Sequence, residues 1–113
     1  MLFITTEDFI EKAKEYKRLS KEEEAELFKI GDTAALEKIK ESYYPYIASQ
    51  LKTLPDDLQS LATLNYLLIY LEKAVSSFKG GEFINHLSRY LREAKVKAIV
   101  YNGEALPLYK PEE

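Results

Sequence analysis

The sequence predicts an all-α fold, a single compact bundle of about five helices. Apolar residues recur at steps of three and four along most of the 113 residues, and the strict alternation typical of strands is absent. Helix-capping residues separate the apolar segments. A hydrophobic fraction of 46% is enough for one folded core. We therefore expect one helical domain over residues 1–103, followed by an irregular tail, residues 104–113, that contains two prolines.

Two short helices are predicted within the first 30 residues. Thr5 or Thr6 is expected to cap the first helix, because a threonine hydroxyl can accept a hydrogen bond from a free N–H of the first turn. Ser20 and Glu23 form the Ser-x-x-Glu pattern of a capping box, which predicts that a second helix begins there. The apolar residues assigned to these two helices are Phe9, Ile10, Ala13, Tyr16, Ala25, Leu27, Phe28 and Ile30.

A third helix is predicted to follow at once. Gly31 is suited to end the second helix, and Asp32 is suited to cap the third. Pro45 falls inside the apolar pattern of this third helix, so we expect a kink or a local break there. The residues that this helix is expected to bury are Leu36, Ile39, Tyr43, Ile47 and Leu51.

A long fourth helix is predicted from the Pro-Asp-Asp segment at residues 55–57. Leu67, Ile69 and Tyr70 lie off its main apolar stripe, so this helix is apolar most of the way around. Such a helix is either central to the bundle or covered by a partner. The stripe itself consists of Leu58, Leu61, Leu64, Leu68, Leu71, Val75 and Phe78.

The fifth helix is predicted to follow the turn at Gly80 and Gly81 and to end at Asn102 and Gly103. Its apolar residues share one face at helical spacing, whereas basic residues lie between them. The core face consists of Phe83, Leu87, Tyr90, Leu91, Ala94 and Ala98.

Residue types with catalytic or metal-binding chemistry form no recognisable pattern in this sequence. The chain has no cysteine, which excludes disulfides, thiolate metal sites and a cysteine nucleophile. His86 is the one histidine, and the ordinary interpretation of a lone histidine on a helix is a surface residue. The acidic run at residues 22–26 is explained by the positive end of a helix dipole. We therefore expect no enzyme activity, no metal and no cofactor.

The charge distribution distinguishes the two ends of the chain. The net charge is −3, yet residues 79–97 carry five basic and two acidic groups. This asymmetry is compatible with one face that meets phosphate and another that meets a protein. The N-terminus has no signal-peptide pattern, and the longest charge-free run, residues 58–71, is too short and too polar to span a bilayer. We expect a soluble, cytoplasmic protein with no membrane partner.

Two segments resemble the second region of bacterial RNA polymerase sigma factors, the sigma-70 family. Residues 20–52, SKEEEAELFKIGDTAALEKIKESYYPYIASQLK, are similar to its acid-rich capped helix, its Gly-Asp pair and the Tyr-x-Pro segment that follows. Residues 71–94, LEKAVSSFKGGEFINHLSRYLREA, are similar to its Ala-Val…Phe…Gly-x-Phe pattern and to the arginines that follow. Both segments occur in the family's order, and the resemblance covers residues 20–100. The matched positions are Gly31, Asp32, Ala35, Leu36, Tyr43, Ala48, Ala74, Val75, Phe78, Gly81, Phe83, Leu87, Arg89 and Arg92.

The resemblance implies a region 2-like helical bundle that takes part in transcription initiation. In that family one surface of the domain binds the core polymerase, and its last long helix binds and melts the promoter −10 element as single-stranded DNA. Basic residues then contact phosphates, and aromatic rings stack on bases. The upstream promoter element would be recognised by a second chain. The DNA-binding candidates are Lys79, His86, Arg89, Tyr90, Arg92, Lys95 and Lys97.

The alternative is a sigma-like module for protein–protein interaction, a regulator or a homodimer, that has lost DNA recognition. The net acidic charge favours it, as do the largely apolar residues 62–68, where the family carries polar groups. On this hypothesis the basic residues form an ordinary solvated helix face. The candidates for binding a protein partner, whether polymerase or another chain, are Asp57, Gln59, Asn65, Tyr66, Leu67 and Tyr70.

Overall fold

The computed structural model describes residues 5–101, and the elements of this part of the chain are helical, with no strand among them. The all-α prediction is therefore confirmed. Six α-helices and one 3-10 turn follow one another along the chain: α1 (Thr6–Ala13), α2 (Lys21–Ile30), α3 (Thr33–Ser42), α4 (Tyr44–Lys52), the 3-10 turn (Asp56–Leu58), α5 (Leu61–Ser77) and α6 (Phe83–Tyr101).

The first three helices begin at side-chain caps that the sequence predicts. The Thr5 hydroxyl accepts a hydrogen bond from the Asp8 backbone N–H at 3.0 Å. Ser20 and Glu23 form both bonds of the capping box, at 2.9 and 3.1 Å. The Asp32 carboxylate accepts from the backbone of α3 at 2.8 Å. Each cap satisfies an N–H that the helix itself leaves free, which fixes where the helix starts.

The predicted third helix consists of two helices, so the expected break near Pro45 is confirmed. Helix α3 ends at Ser42, and Tyr43 has φ −99° and ψ 0°, outside regular helical geometry. Pro45 then lies in the first turn of α4, where a residue without an N–H leaves no intrahelical hydrogen bond unmade. Ile39 on α3 and Ile47 on α4 are both 0% exposed, so both helices contribute to the core.

The long fourth helix of the prediction starts later than the sequence pattern suggests. Residues 56–58 form the 3-10 turn, and α5 begins only at Leu61. Ser60 caps α5, since its hydroxyl accepts from the Thr63 N–H at 3.3 Å. The Gln59 side chain donates to the Leu54 carbonyl at 2.7 Å and holds the chain in a loop before that cap. The expected helix start at residues 55–57 is therefore wrong.

Helix α5 is central to the bundle. It packs against α6 along most of its length and also contacts α3 and α4. Leu67 is 0% exposed and Tyr70 is 2% exposed, although both lie off the predicted stripe. The sequence leaves two explanations for this apolar helix, a central position or cover by a partner, and the structure shows the central position. The buried residues of α5 are Thr63, Leu64, Tyr66, Leu67, Tyr70, Leu71, Ala74 and Val75.

Helix α6 buries the predicted face, with Tyr90 at its half-buried edge. Its fully buried members are Phe83, Leu87, Leu91, Ala94 and Ala98. The predicted helix end at Asn102 and Gly103 and the predicted tail, residues 104–113, lie outside the described residues. Within residues 5–101, none of the helices combines the length and the apolar character needed to cross a membrane.

Candidate nucleic-acid interface on α6

The turn at residues 78–82 fixes where α6 begins. Gly80 and Gly81 have φ of 137° and 91°, a backbone region that residues with a Cβ rarely adopt. Apart from the adjoining residues of the chain, no atom lies within 4 Å of a Cβ built at either position, so the requirement for glycine is conformational rather than steric. Lys79 is exposed within this turn. The turn directs α6 back along α5.

Two arginines lie on the solvent side of α6. Arg89 and Arg92 are three residues apart, which places them on one helix face, and both are exposed. Within the described part of the chain, no carboxylate forms an ion pair with either guanidinium. The neighbouring Glu93 accepts a hydrogen bond from the Tyr70 hydroxyl at 3.4 Å. Both guanidinium groups therefore present their donors to solvent.

The remaining basic candidates lie in different environments. Lys95 is half-buried, and its amine donates a hydrogen bond to the Gln50 side chain of α4, so this lysine connects two helices. Lys97 is exposed on another side of α6, nearer to Tyr90 than to Arg92 by helical spacing. The structure thus separates the predicted set into an outward arginine pair, two exposed lysines at other positions, and one lysine engaged within the bundle.

The two aromatic candidates are packed against the end of α5. The Ser77 hydroxyl lies 3.0 Å from His86 Nε2 and 2.9 Å from the Tyr90 hydroxyl. The His86 and Tyr90 rings are 5.0 Å apart, and the His86 ring is 5.5 Å from Phe78. Both residues are half-buried. The His86 Nε2 atom and the Tyr90 hydroxyl both have the Ser77 hydroxyl as a partner, which holds the two rings in this arrangement.

The role of Ser77 is not apparent from the sequence. A Ser-Ser pair at a predicted helix end indicates only a helix terminus. Sequence positions alone do not predict that Ser77 contacts His86 and Tyr90. The contact depends on the antiparallel packing of α5 and α6, which brings residues of the two helices together.

The partner-binding candidates do not form one exposed surface. Asp57 is exposed in the 3-10 turn, and Asn65 is exposed on α5. Gln59 is half-buried and engaged with backbone carbonyls of the loop. The remaining three residues are covered by the other helices of the chain: Tyr66 is 7% exposed, Leu67 0% and Tyr70 2%.

A groove between α3 and α5 is absent from the predictions made from the sequence. We define the α3–α5 groove by two adjoining recesses of about 260 and 160 Å³ that share Glu37, Lys40 and Glu72. Lys40 Nζ lies 3.0 Å from a Glu37 carboxylate oxygen and 3.7 Å from one of Glu72. The apolar residues that line it are Leu36, Leu68, Ile69, Leu71 and Val75.

The lining of the α3–α5 groove has an excess of one negative charge. Burial, together with the nearby carboxylates of Glu37, Glu41 and Glu72, raises the pKa of Tyr44, which lines the groove, to about 12. The lining itself contains two of these carboxylates, Glu37 and Glu72, and one lysine, Lys40. The Glu37-x-x-Lys40 spacing is visible in the sequence, but the contribution of Glu72 depends on how α3 packs on α5.

No group of three or more acidic or histidine side chains in the described range is placed to hold a metal ion. Comparison of the chain with protein-family models, with curated protein sequences and with solved structures gives no match. The proposals below therefore depend on the geometry and on the resemblance of the two segments.

Proposed function

We propose that this chain is a sigma region 2-like transcription protein, located in the bacterial cytoplasm, that binds single-stranded promoter DNA of the −10 element through α6. The single observation that carries the proposal is the outward pair Arg89 and Arg92, exposed on one face of a long helix and without an ion-pair partner among the described residues. A core polymerase and a second chain for upstream recognition complete the proposed assembly.

Phosphate binding is the chemistry that this face supports best. Guanidinium groups donate several hydrogen bonds in a fixed plane and suit phosphate oxygens. Lys79 at the turn and Lys97 further along α6 are exposed and supply additional positive charge. Few such contacts are available, so the proposed binding is weak and falls steeply with salt.

Base stacking has a secondary part in this proposal. His86 and Tyr90 are half-buried and share the Ser77 hydroxyl. If the Tyr90 ring turns outward to stack on a base, its hydroxyl loses that hydrogen bond, which reduces the net gain from stacking. Lys95 is likewise held by Gln50. We therefore assign the first contacts with DNA to Arg89 and Arg92.

Charge reversal tests this DNA contact. Fluorescence anisotropy with a single-stranded oligonucleotide of the non-template −10 sequence should show binding by the wild type and its loss in the variant Arg89→Glu, Arg92→Glu. The control variant Lys17→Glu, Lys38→Glu changes the net charge by the same amount at exposed positions outside α6 and should retain binding. Equal losses in both variants, or no binding by the wild type, would contradict the proposal.

Polymerase binding is tested separately. Gel filtration of the chain with bacterial core RNA polymerase should show co-migration. The exposed α5 position Asn65 offers a probe, since Asn65→Arg changes the surface without entering the core. Reduced co-migration of this variant would support an α5 contact, whereas absence of co-migration by the wild type would remove polymerase from the proposal.

A second candidate function is a helical protein–protein interaction module. The observation that favours it is apolar exposure near the end of α6, where Val96, Ile99 and Val100 are 53%, 57% and 71% exposed. Contiguous exposed apolar residues are typical of interaction sites. A module of this kind should bind a protein partner or itself and show no salt-dependent affinity for the oligonucleotide, which the anisotropy measurement determines directly.

A further inference from the structure

The outer face of α6 combines positive charge with apolar surface. We define it by Arg89, Arg92, Val96 and Val100, which recur at steps of three and four and are all exposed. Arg92 lies one helical turn before Val96. A solvated face would not need branched apolar side chains at two successive turns, so this combination indicates a surface that meets another protein.

The α3–α5 groove has the complementary combination. Glu72 lies one helical turn after Leu68 on α5, and the Glu72 side chain is 56% exposed. Leu68 and Ile69 are half-buried on the same side and line the groove. The surrounding carboxylates outnumber the single lysine, so the rim favours a positively charged occupant.

We infer that two copies of this chain associate, with the outer face of α6 in one copy lying in the α3–α5 groove of the other. Arg92 and Val96 are four positions apart, as are Leu68 and Glu72, which is about 6 Å along each helix axis. When the two helices run antiparallel, Arg92 meets the partner's Glu72 while Val96 meets the partner's Leu68. One alignment therefore satisfies both the charged pair and the apolar pair.

This inference gives the interaction-module candidate a defined partner and does not require DNA binding. The apolar contact supplies the driving force for association, because Val96 and Val100 leave water. The charged pair selects the alignment: Arg92 joins Glu72, which already lies 3.7 Å from Lys40 of its own chain, whereas a slip of one turn would place Arg92 against apolar Leu68.

Analytical ultracentrifugation of the purified full chain tests the inference. The wild type should change reversibly from a monomer of 13.1 kDa toward higher mass as its concentration rises from micromolar to millimolar. Arg92→Glu and Glu72→Arg should each weaken the association about tenfold or more, because each places like charges together. Circular dichroism should show that both variants keep the wild-type helical content, since both positions are exposed.

A mixture of the two variants gives the decisive measurement. An equimolar mixture of Arg92→Glu and Glu72→Arg should recover association, because both pairs are then of opposite charge: the unchanged Arg92 of one variant meets the unchanged Glu72 of the other, and the introduced carboxylate meets the introduced guanidinium. Lys38→Glu and Glu26→Arg, which alter exposed charges outside both surfaces, should leave association unchanged.

Three results would overturn the inference: a wild type that stays monomeric throughout, an association indifferent to either charge reversal, or a mixture that fails to recover. Arg92 takes part in both proposed contacts, so DNA binding is measured separately, by the anisotropy experiment, at chain concentrations below those at which association occurs.

Discussion

At the residue scale, two adjacent tyrosines show how position within the bundle sets chemistry. The Tyr43 ring is 0% exposed, its hydroxyl donates to Glu24 at 2.5 Å, and the Arg18 guanidinium lies 4.5 Å from the ring centre. Burial raises the pKa of Tyr43 above its ordinary value, and the hydrogen bond to Glu24 adds to the shift. Tyr44 faces the α3–α5 groove, where burial raises its pKa to about 12.

Tyr44 predicts how stability changes in alkali. An unfolded tyrosine ionises near pH 10, whereas the pKa of Tyr44 in the fold is about 12. Between these values the unfolded chain has released a proton that the folded chain retains, so stability falls as the pH rises. The contribution is present in full below about pH 10 and is lost through pH 12. Urea unfolding across this range should show a shallower decline for Tyr44→Phe than for the wild type, and parallel declines would contradict this.

Residue-level prediction from the sequence succeeds where helical spacing alone decides exposure. Arg89 and Arg92 are exposed on one face, as their spacing relative to Leu87 and Leu91 requires. Prediction from the sequence fails where the environment of a side chain depends on a contact between helices. Lys95 is bound by Gln50, which lies 45 residues away in the sequence, and no local pattern contains that information.

At the scale of the element, α2 depends on its cap. Helix α2 has no buried residue, so tertiary packing contributes less to it than to α5, and the capping box contributes relatively more. Ser20 and Glu23 satisfy two backbone N–H groups between them. The same bonds lower the pKa of Glu23, because the Ser20 backbone and hydroxyl stabilise its carboxylate.

Removal of the cap should therefore destabilise α2 locally. Ser20→Ala is expected to cost about 1 kcal/mol in urea unfolding, and amide hydrogen exchange should quicken in the first turn of α2 but not in α5. Ser49→Ala is the matched control, since the exposed Ser49 hydroxyl only donates back to the Tyr46 carbonyl within α4. Equal effects of the two substitutions would show that the capping box does not determine the stability of α2.

Element boundaries differ in how far the sequence predicts them. The break at Pro45 is predictable because a ring without an N–H has few places in a helix. The start of α5 is not, because two start signals compete within six residues. Pro55 and Asp56 begin a 3-10 turn, and Ser60 caps the longer helix. Which of them begins α5 depends on the loop that Gln59 holds through Leu54.

At the scale of the whole molecule, the bundle is organised around α5, which contacts α3, α4 and α6. This position accounts for the helix being apolar most of the way around without any partner chain. It leaves Asn65, Glu72 and Ser76 as the exposed residues of its one open side. The sequence pattern indicates that most of the α5 surface must be buried. The helices that bury it can be identified only from the packing of the bundle.

Two adjacent leucines test this organisation. Leu67 is 0% exposed, so Leu67→Ala should cost about 2–5 kcal/mol through lost burial and a residual cavity. Leu68 is half-buried at the α3–α5 groove, and Leu68→Ala should cost distinctly less. Urea unfolding of both variants provides the comparison. A small effect of Leu67→Ala, within about 0.5 kcal/mol as is usual for surface positions, would place Leu67 outside the core.

The central claim is that Arg89 and Arg92 contact phosphates, and the salt dependence of DNA binding tests it most directly. Each phosphate neutralised on a single strand contributes about 0.7 to the slope of log affinity against log salt. The wild-type slope for the −10 oligonucleotide, measured by anisotropy, should therefore exceed that of the variant Arg89→Ala, Arg92→Ala by about 1.4. A slope unchanged by the double substitution, or the absence of salt-dependent binding in the wild type, would contradict the claim.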